Sequence, residues 1–443
     1  MIHVASTTLD KQLIEDLLAK VEESDQSQNG WLTIPKVPVT LRNIQDFPKW
    51  IEPSVISIGP YYHGHDNLQE GEKLKPLWAK RFIDDSNQRV RCLYQKIERK
   101  IRELRNCYDN QAISEYNDKQ LATMFVLDGC FLLHFIRSFC SNKEGGLNGS
   151  NFTNHHIAYI QQDLFLLENQ LPFQVLKLLF QDAQFQDSNS IEELIKDFVT
   201  SKIIMSRGKS GIKLKDEENV PFHLLDLLRG VLLGKLKNIS KQLVVVSEPQ
   251  QQMQEVDEKG NPQETNKKHI QLSPTLMATG IQFRRSKTGE LRDVSFTSYG
   301  MIGYLNLPLL AIDRSSVPRL WNLIAYEMCP NMTSDSGVTS YVSFLDSLHD
   351  NSEDVKELEF TRVLQNFFGG NEEVAQFFNS ISVNWAVRDF SAYYYVPSDT
   401  RAHVRRHNSN RTPWTIIALV AAILVLFLTD VQTYFTVFPR STW

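Results

Sequence analysis

The chain lacks the short signatures that most often announce chemistry. It holds no Gly-x-Ser-x-Gly, His-Glu-x-x-His or Cys-x-x-Cys, no Rossmann glycine pattern and no kinase set, which removes the familiar hydrolase, metalloprotease, redox and nucleotide motifs. Cysteine is scarce. Cys92, Cys107, Cys130, Cys140 and Cys329 are odd in number and mostly set in apolar runs, which excludes a disulfide scaffold and predicts reduced, packed thiols. The opening MIHVASTTLDKQLIEDLL has no basic stretch leading into an apolar one, so no signal peptide is expected and the large domain is expected to be cytosolic. Excess positive charge is also missing: a net charge of −5 gives no general pull towards nucleic acid.

Long apolar runs are present. From Trp414 to Leu428 the chain reads WTIIALVAAILVLFL without a charge. Fifteen residues at about 1.5 Å each reach only about 22 Å, so a helix crossing a core of about 30 Å must continue past Asp430 towards Tyr434. Arg401, Arg405, Arg406 and Arg411, with His403 and His407, form a basic collar ahead of it, and only Arg440 follows. Positive charge prefers the cytoplasmic flank of a span, so residues 414–436 are expected to be one membrane helix behind a collar at 398–413. Five Asn-x-Ser/Thr acceptors, at Asn148, Asn151, Asn238, Asn331 and Asn410, matter only if the body faces a secretory lumen.

With 443 residues, 42% hydrophobic and 22% charged, the remainder can bury a large core. Leu9, Leu13, Leu17, Leu18 and Val21 predict a short amphipathic helix, joined by a polar linker to about residue 30. Val55 to Ile58 is β-like, followed by a turn at Gly59 and Pro60 and the polar group His63, His65 and Asp66. Those three could ligate a metal, but no Cys or His pair at ligand spacing accompanies them, so a structured loop is the favoured reading and no metal or cofactor is expected. A helix starts near Gln69, and a charged one continues from Arg81 to Arg105.

Leu121 to Phe139 is apolar almost all round, yet Asp128, His134 and Arg137 make membrane insertion expensive and predict a core helix of a soluble body. Asp128 and His134 could serve as acid and base in a cleft. The favoured reading is that they are satisfied polar groups fixing helix packing, since no nucleophile or oxyanion donor set is identifiable and no catalytic residue is assigned. In DLFLLENQLPFQVLKLLF, Pro172 predicts a helix break with Asn169 capping the next helix through the Leu171 amide; Asp163, Glu168 and Gln170 lie in the same stretch. The sequence Gly208-Lys209-Ser210 echoes a phosphate loop, but its flanks do not make strand then helix.

Residues 247–268 have the composition of a disordered insertion. Beyond it the alternation in GIQFRR, LRDVSFTSYG and YLNLPLLAID predicts a small antiparallel sheet around 281–312, before helices resume near Ser316. The fold class expected is mainly α: a helical part at 31–246, a mixed then helical part at 269–397, and one C-terminal transmembrane helix.

The segments VPVTLR, VISIGPYYHG, VLDGCFLLHFI and DLFLLENQLPF, then HLLDLLR, PTLMATGIQFRRSK and LNLPLLAIDRSSVPRLWNLIAYEMC, occur in an order and at separations that resemble the plant family called domain of unknown function 247. The resemblance runs from about Trp31 to Phe438. It implies a plant source, a mostly helical body and a single C-terminal span, and it carries no catalytic residues. Some grass members are implied in self-incompatibility, which suggests recognition or signalling. The expectation is therefore a membrane-anchored protein at the plasma membrane or an endomembrane, in contact with lipid through its C-terminal helix and with a protein partner through surface loops such as 142–156 and 247–268. The alternatives are an enzyme with an unrecognised site near Asp128 and His134, and a structural tether.

Overall fold

The computed structural model describes residues 33–43, 47–140, 153–185, 190–202, 220–234, 280–329, 335–346, 348, 352–383 and 395–437. The expected N-terminal helix, the phosphate-loop echo and the expected insertion at 247–268 lie outside them, as does most of the loop at 142–156.

The body is assembled around one helix. Ordered by position, the first helices are α1 (Val39–Arg42), α2 (Gln69–Asp85), α3 (Val90–Arg105), α4 (Asn110–Ile113) and α5 (Asp118–Cys140). The apolar sequence of α5 has no polar face to give to water, so it sits at the centre with α2, α3, α7 (Phe173–Phe180) and α8 (Ile191–Lys202) around it. Phe125, Phe131 and Phe135 are fully buried there, and Trp78 of α2 closes over Phe131 at a centroid distance of 5.8 Å. Amphipathic α3 turns Leu93, Ile97, Ile101 and Leu104 inward at helical spacing, as its alternating charges require. Gly129 lets α5 approach α7: a Cβ there would come within 2.4 Å of the Leu179 side chain.

Helix α6 (Asn154–Asp163) ends well before Pro172. Residues 164–172 are non-helical, and α7 begins on Pro172 itself, with no side-chain cap. The break expected at Pro172 is present, but Asn169 does not cap α7; its side chain is committed elsewhere.

Helix α9 (Leu224–Leu233) joins the first half to the second, packing on α8, α10 (Ser316–Met328) and α11 (Gly337–Asp346). Helices α12 (Ser352–Phe360) and α13 (Asn371–Val383) complete the second half beside a two-stranded parallel sheet of β4 (Leu310–Ile312) and β5 (Leu364–Asn366). The expected sheet is found as β1 (Ile281–Arg285), β2 (Ser295–Tyr299) and β3 (Ile302–Leu307), in the order β1-β3-β2. It is mixed. Strands β2 and β3 pair antiparallel through a two-residue turn with Gly300 at φ 62°, whereas β1 pairs parallel to β3. Alternation fixes which side chains face inward but not strand order, and it is the crossover from β1 to the far side of β3 that makes one pairing parallel.

The last helix, α14 (Tyr395–Val437), runs 43 residues without interruption, roughly 64 Å at the helical rise. Its first turns pack on β2, where His403 is buried with its ring 5.6 Å from that of Phe296. His403 is thus part of the body rather than of an exposed collar. No residue of its Ile417–Tyr434 portion is buried.

Candidate functional site

Residues 54–59 are extended, as Val55 to Ile58 suggested, but among the described residues no strand lies beside them. Side chains take the place of a neighbouring strand. The Asp163 carboxylate accepts from the amides of Ser54 (2.9 Å), Val55 (2.7 Å) and Ile56 (3.0 Å). Asn169 accepts from the Ile58 amide at 2.6 Å and donates to the Ile56 carbonyl at 3.1 Å, as a strand would, and Asp128 accepts from the Gly59 amide at 2.8 Å. This is why Asn169 is unavailable as a cap. Gly59 sits at φ 77° with the Gln170 carbonyl 2.8 Å from where a Cβ would stand, so both conformation and space demand glycine.

The break after α6 is equally well tied. Gln170 donates to the carbonyls of Leu164 and Leu166 and accepts from the Leu225 amide, and Asn322 of α10 accepts from the Leu167 amide at 2.8 Å. Nine non-helical residues would otherwise leave buried backbone groups unpaired, each costing about 1–3 kcal/mol. The amide side chains of Gln170 and Asn322 pair several of those groups.

Beneath the segment lies a buried ion cluster. The ammonium of Lys75, 1% exposed, has three protons and three acceptors: Asp128 at 2.7 Å, Glu72 at 2.6 Å and the Ser57 hydroxyl at 3.0 Å. Burial raises the Asp128 carboxyl above its usual range while Lys75 pulls it down. Burial pushes Asp163 up to about 7, against the pull of its three amides. His134 lies elsewhere, 3.6 Å from Asp85 and against the Trp78 ring, and burial pulls it down to about 4. Asp128 and His134 therefore share no cleft; both oxygens of Asp128 serve Lys75 and Gly59.

The cleft that is present opens on the other side of the 54–65 stretch, with a volume of about 650 Å³. His63 and His65 line it, as do Tyr62, Tyr116 and Arg42. Its floor is Glu168, 3% exposed, which accepts from the Val37 amide (2.7 Å) and the Tyr62 hydroxyl (2.8 Å) and forms an ion pair with Arg42. His63 also touches the ion cluster, its Nδ1 3.5 Å from Glu72. Asp66 is exposed and opens a short helical turn. Among the described residues no three His, Cys, Asp or Glu side chains converge as metal ligands.

Sequence reasoning singled out Asp128, Asp163, Glu168 and His63 but missed Lys75, Arg42 and Tyr62. Lys75 and Arg42 are ordinary surface types by composition; the one signal for Lys75 was its spacing, four residues after Gly71 and three before Trp78, which puts it on the face that α2 buries.

A search of solved structures gives no match. At the sequence level the chain is similar to two Arabidopsis thaliana proteins. It is 28% identical to "UPF0481 protein At3g47200" over 87% of this chain and 82% of that protein, and 23% identical to "Putative UPF0481 protein At3g02645" over 96% and 93%. The pattern of the DUF247 family, described as plant protein of unknown function, fits residues 34–428, which takes in the braced segment, the cleft and the charge-free run to Leu428. The chain belongs to that plant family.

Proposed function

We propose that this protein is a membrane-anchored recognition component of plant cells, held by α14 and presenting its helical body on the cytosolic side for a protein partner. One observation carries the reading: Ile417–Tyr434 is long and apolar enough to cross a membrane and has no part of the body covering it. Leu419, Val425, Leu426, Phe427 and Leu428 are each 60% or more exposed. Ten Ile, Leu, Val and Phe side chains between Trp414 and Leu428, at about 0.3–0.6 kcal/mol each, favour lipid by about 3–6 kcal/mol, against a cost for Asp430 of ~3 kcal/mol at most. Trp414 and Tyr434, twenty residues apart, mark off about 30 Å of helix, the thickness of a hydrocarbon core, with an aromatic residue at each boundary. The arginines that precede the run support a cytosolic body.

Recognition is supported by the division of labour inside the body. The buried carboxylates Asp128 and Asp163 are occupied in holding backbone, while the open cleft offers aromatic rings and charges of both signs, the chemistry of a peptide-binding surface. Alkaline carbonate extraction of plant microsomes tests the anchor: the full chain stays in the pellet and leaves it with detergent, whereas a chain ending at Pro413 is released. Release of the full chain by carbonate alone overturns the reading. Glycosylation at Asn148 or Asn331 overturns the orientation.

A further inference from the structure

We propose that the cleft above Glu168 is a receptor site for a carboxylate-bearing peptide, with Arg42 as the group that takes the carboxylate. The proposal rests on the recognition reading and names its ligand class.

Arg42 binds Glu168 through Nη2, with the Tyr62 hydroxyl as its other polar neighbour, so two partners occupy a group with five donors; its side chain is 35% exposed in the cleft. A guanidinium has a second face of donors matched to the two oxygens of a carboxylate, so a pair already formed on one side leaves a pre-aimed fork on the other. Glu168 does not compete for that role, because both its oxygens are already served, one by the Val37 amide and Arg42, the other by the Tyr62 hydroxyl. Its burial is what makes the arrangement rigid: an uncompensated carboxylate at 3% exposure is strongly disfavoured, so Arg42 is held in place with or without a ligand.

The walls fit a peptide rather than a small ion. Tyr61 and Tyr116, both half-buried in the lining, give flat apolar faces on which a side chain can lie, with His63 6.0 Å from the Tyr116 ring and buried Tyr62 behind them. Lys36 adds a second exposed cation, and Glu52 and Glu115, also exposed in the lining, suit a basic residue next to the carboxylate.

The shared chemistry, a carboxylate beside an aromatic group, can come from an acidic side chain or from a chain terminus. Phenylglyoxal labelling of Arg42, read by mass spectrometry on the full chain in detergent micelles, separates these. The probes are N-acetyl-Phe-Asp-amide for the side chain, N-acetyl-Phe for the terminus, N-acetyl-Phe-Asn-amide as neutral control and phenyl phosphate as competing anion. At millimolar concentration one of the two carboxylate probes is expected to slow Arg42 labelling at least threefold, with the neutral peptide inert and exposed Arg91 unaffected. Val39→Glu, a change at a cleft-lining position 72% exposed and therefore harmless to folding, is expected to abolish that protection. An Arg42 that does not react, equal labelling with and without carboxylate, slowing by phenyl phosphate alone, or the same slowing by sulfate at matched ionic strength each overturns the proposal. Co-sedimentation of the same preparation with phosphatidylcholine vesicles reports the anchor separately: protection without sedimentation removes the membrane reading and keeps the site, and sedimentation without protection does the reverse.

Discussion

Asp163 shows how much one side chain can hold. Its two oxygens satisfy three consecutive amides that have no strand to turn to. Asp163→Ala leaves the buried Ile56 amide unpaired at about 1–3 kcal/mol and frees the part-buried Ser54 and Val55 amides, which water can reach at smaller cost, so a loss of about 2–3 kcal/mol is expected in urea denaturation of the detergent-solubilised chain. His223 offers a pH test. It caps α9 by accepting from the Asp226 amide through Nδ1 at 3.1 Å, an acceptor that protonation destroys, and burial pulls it down to about 4. The folded state keeps this ring neutral where the unfolded chain, at the ordinary value of 6.5, takes a proton; its contribution is full above pH 6.5 and is lost as pH falls towards 4. His223→Asn keeps a capping oxygen without the titration, so wild type is expected to lose about 3 kcal/mol more than the variant between pH 6.5 and 4. Asp163, raised to about 7, acts in the opposite sense, its contribution falling as pH rises through the window up to 7, but it is common to both chains and cancels in the difference. The sequence made Asp163 and Asn169 legible as polar groups inside an apolar run. It did not show what they bind, because their partners lie far along the chain: Asp163 is 107 to 109 residues from its amides and Asn169 is 111 from Ile58.

Between elements, the closest approaches run through glycine. At Gly71 of α2 a Cβ would stand 2.1 Å from the Val55 carbonyl, backbone that is itself pinned by Asp163; at Gly129 of α5 it would meet the movable end of Leu179. Gly71→Ala is therefore expected to lower the melting temperature clearly more than Gly129→Ala, although both sit in helices where alanine is favoured by about 1 kcal/mol. A reversed order, measured by scanning fluorimetry, means that residues 54–59 are not the fixed wall described. Helix existence was largely readable from period and composition, down to the start of α2 at Gln69. What pattern could not supply was long-range docking. Glu327 of α10 accepts from the Val338 and Thr339 amides at the start of α11 while bound to Arg229 of α9 at 2.8 Å, so one carboxylate clips three helices together, and nothing local marks it.

At the scale of the molecule, two helices among the described residues are apolar enough to cross a membrane, and their surroundings separate them: 78% of the α5 window is buried in the body, and none of the α14 window is. Asp128, His134 and Arg137 in α5 had already argued that way from sequence. Because no part of the Ile417–Tyr434 window is buried while the start of α14 covers Phe296, chains stopped after residue 413 and before residue 395 are expected to differ. The first keeps the melting temperature of the full chain within a few degrees; the second falls below it as Phe296 loses its cover. Equal melting of the two shows that α14 contributes nothing to the body.

Between Tyr395 and Val437 the helix contains no glycine, and of its two prolines Pro397 falls in the first turn, where no intrahelical donor is needed, leaving Pro413 as the one lost donor ahead of the apolar run. Such a shaft transmits torque. With the apolar half held in lipid as proposed, its rotation about the long axis would swing the attached β2 strand with it, so contacts between neighbouring apolar halves would dictate which flank of each globular head its neighbour meets.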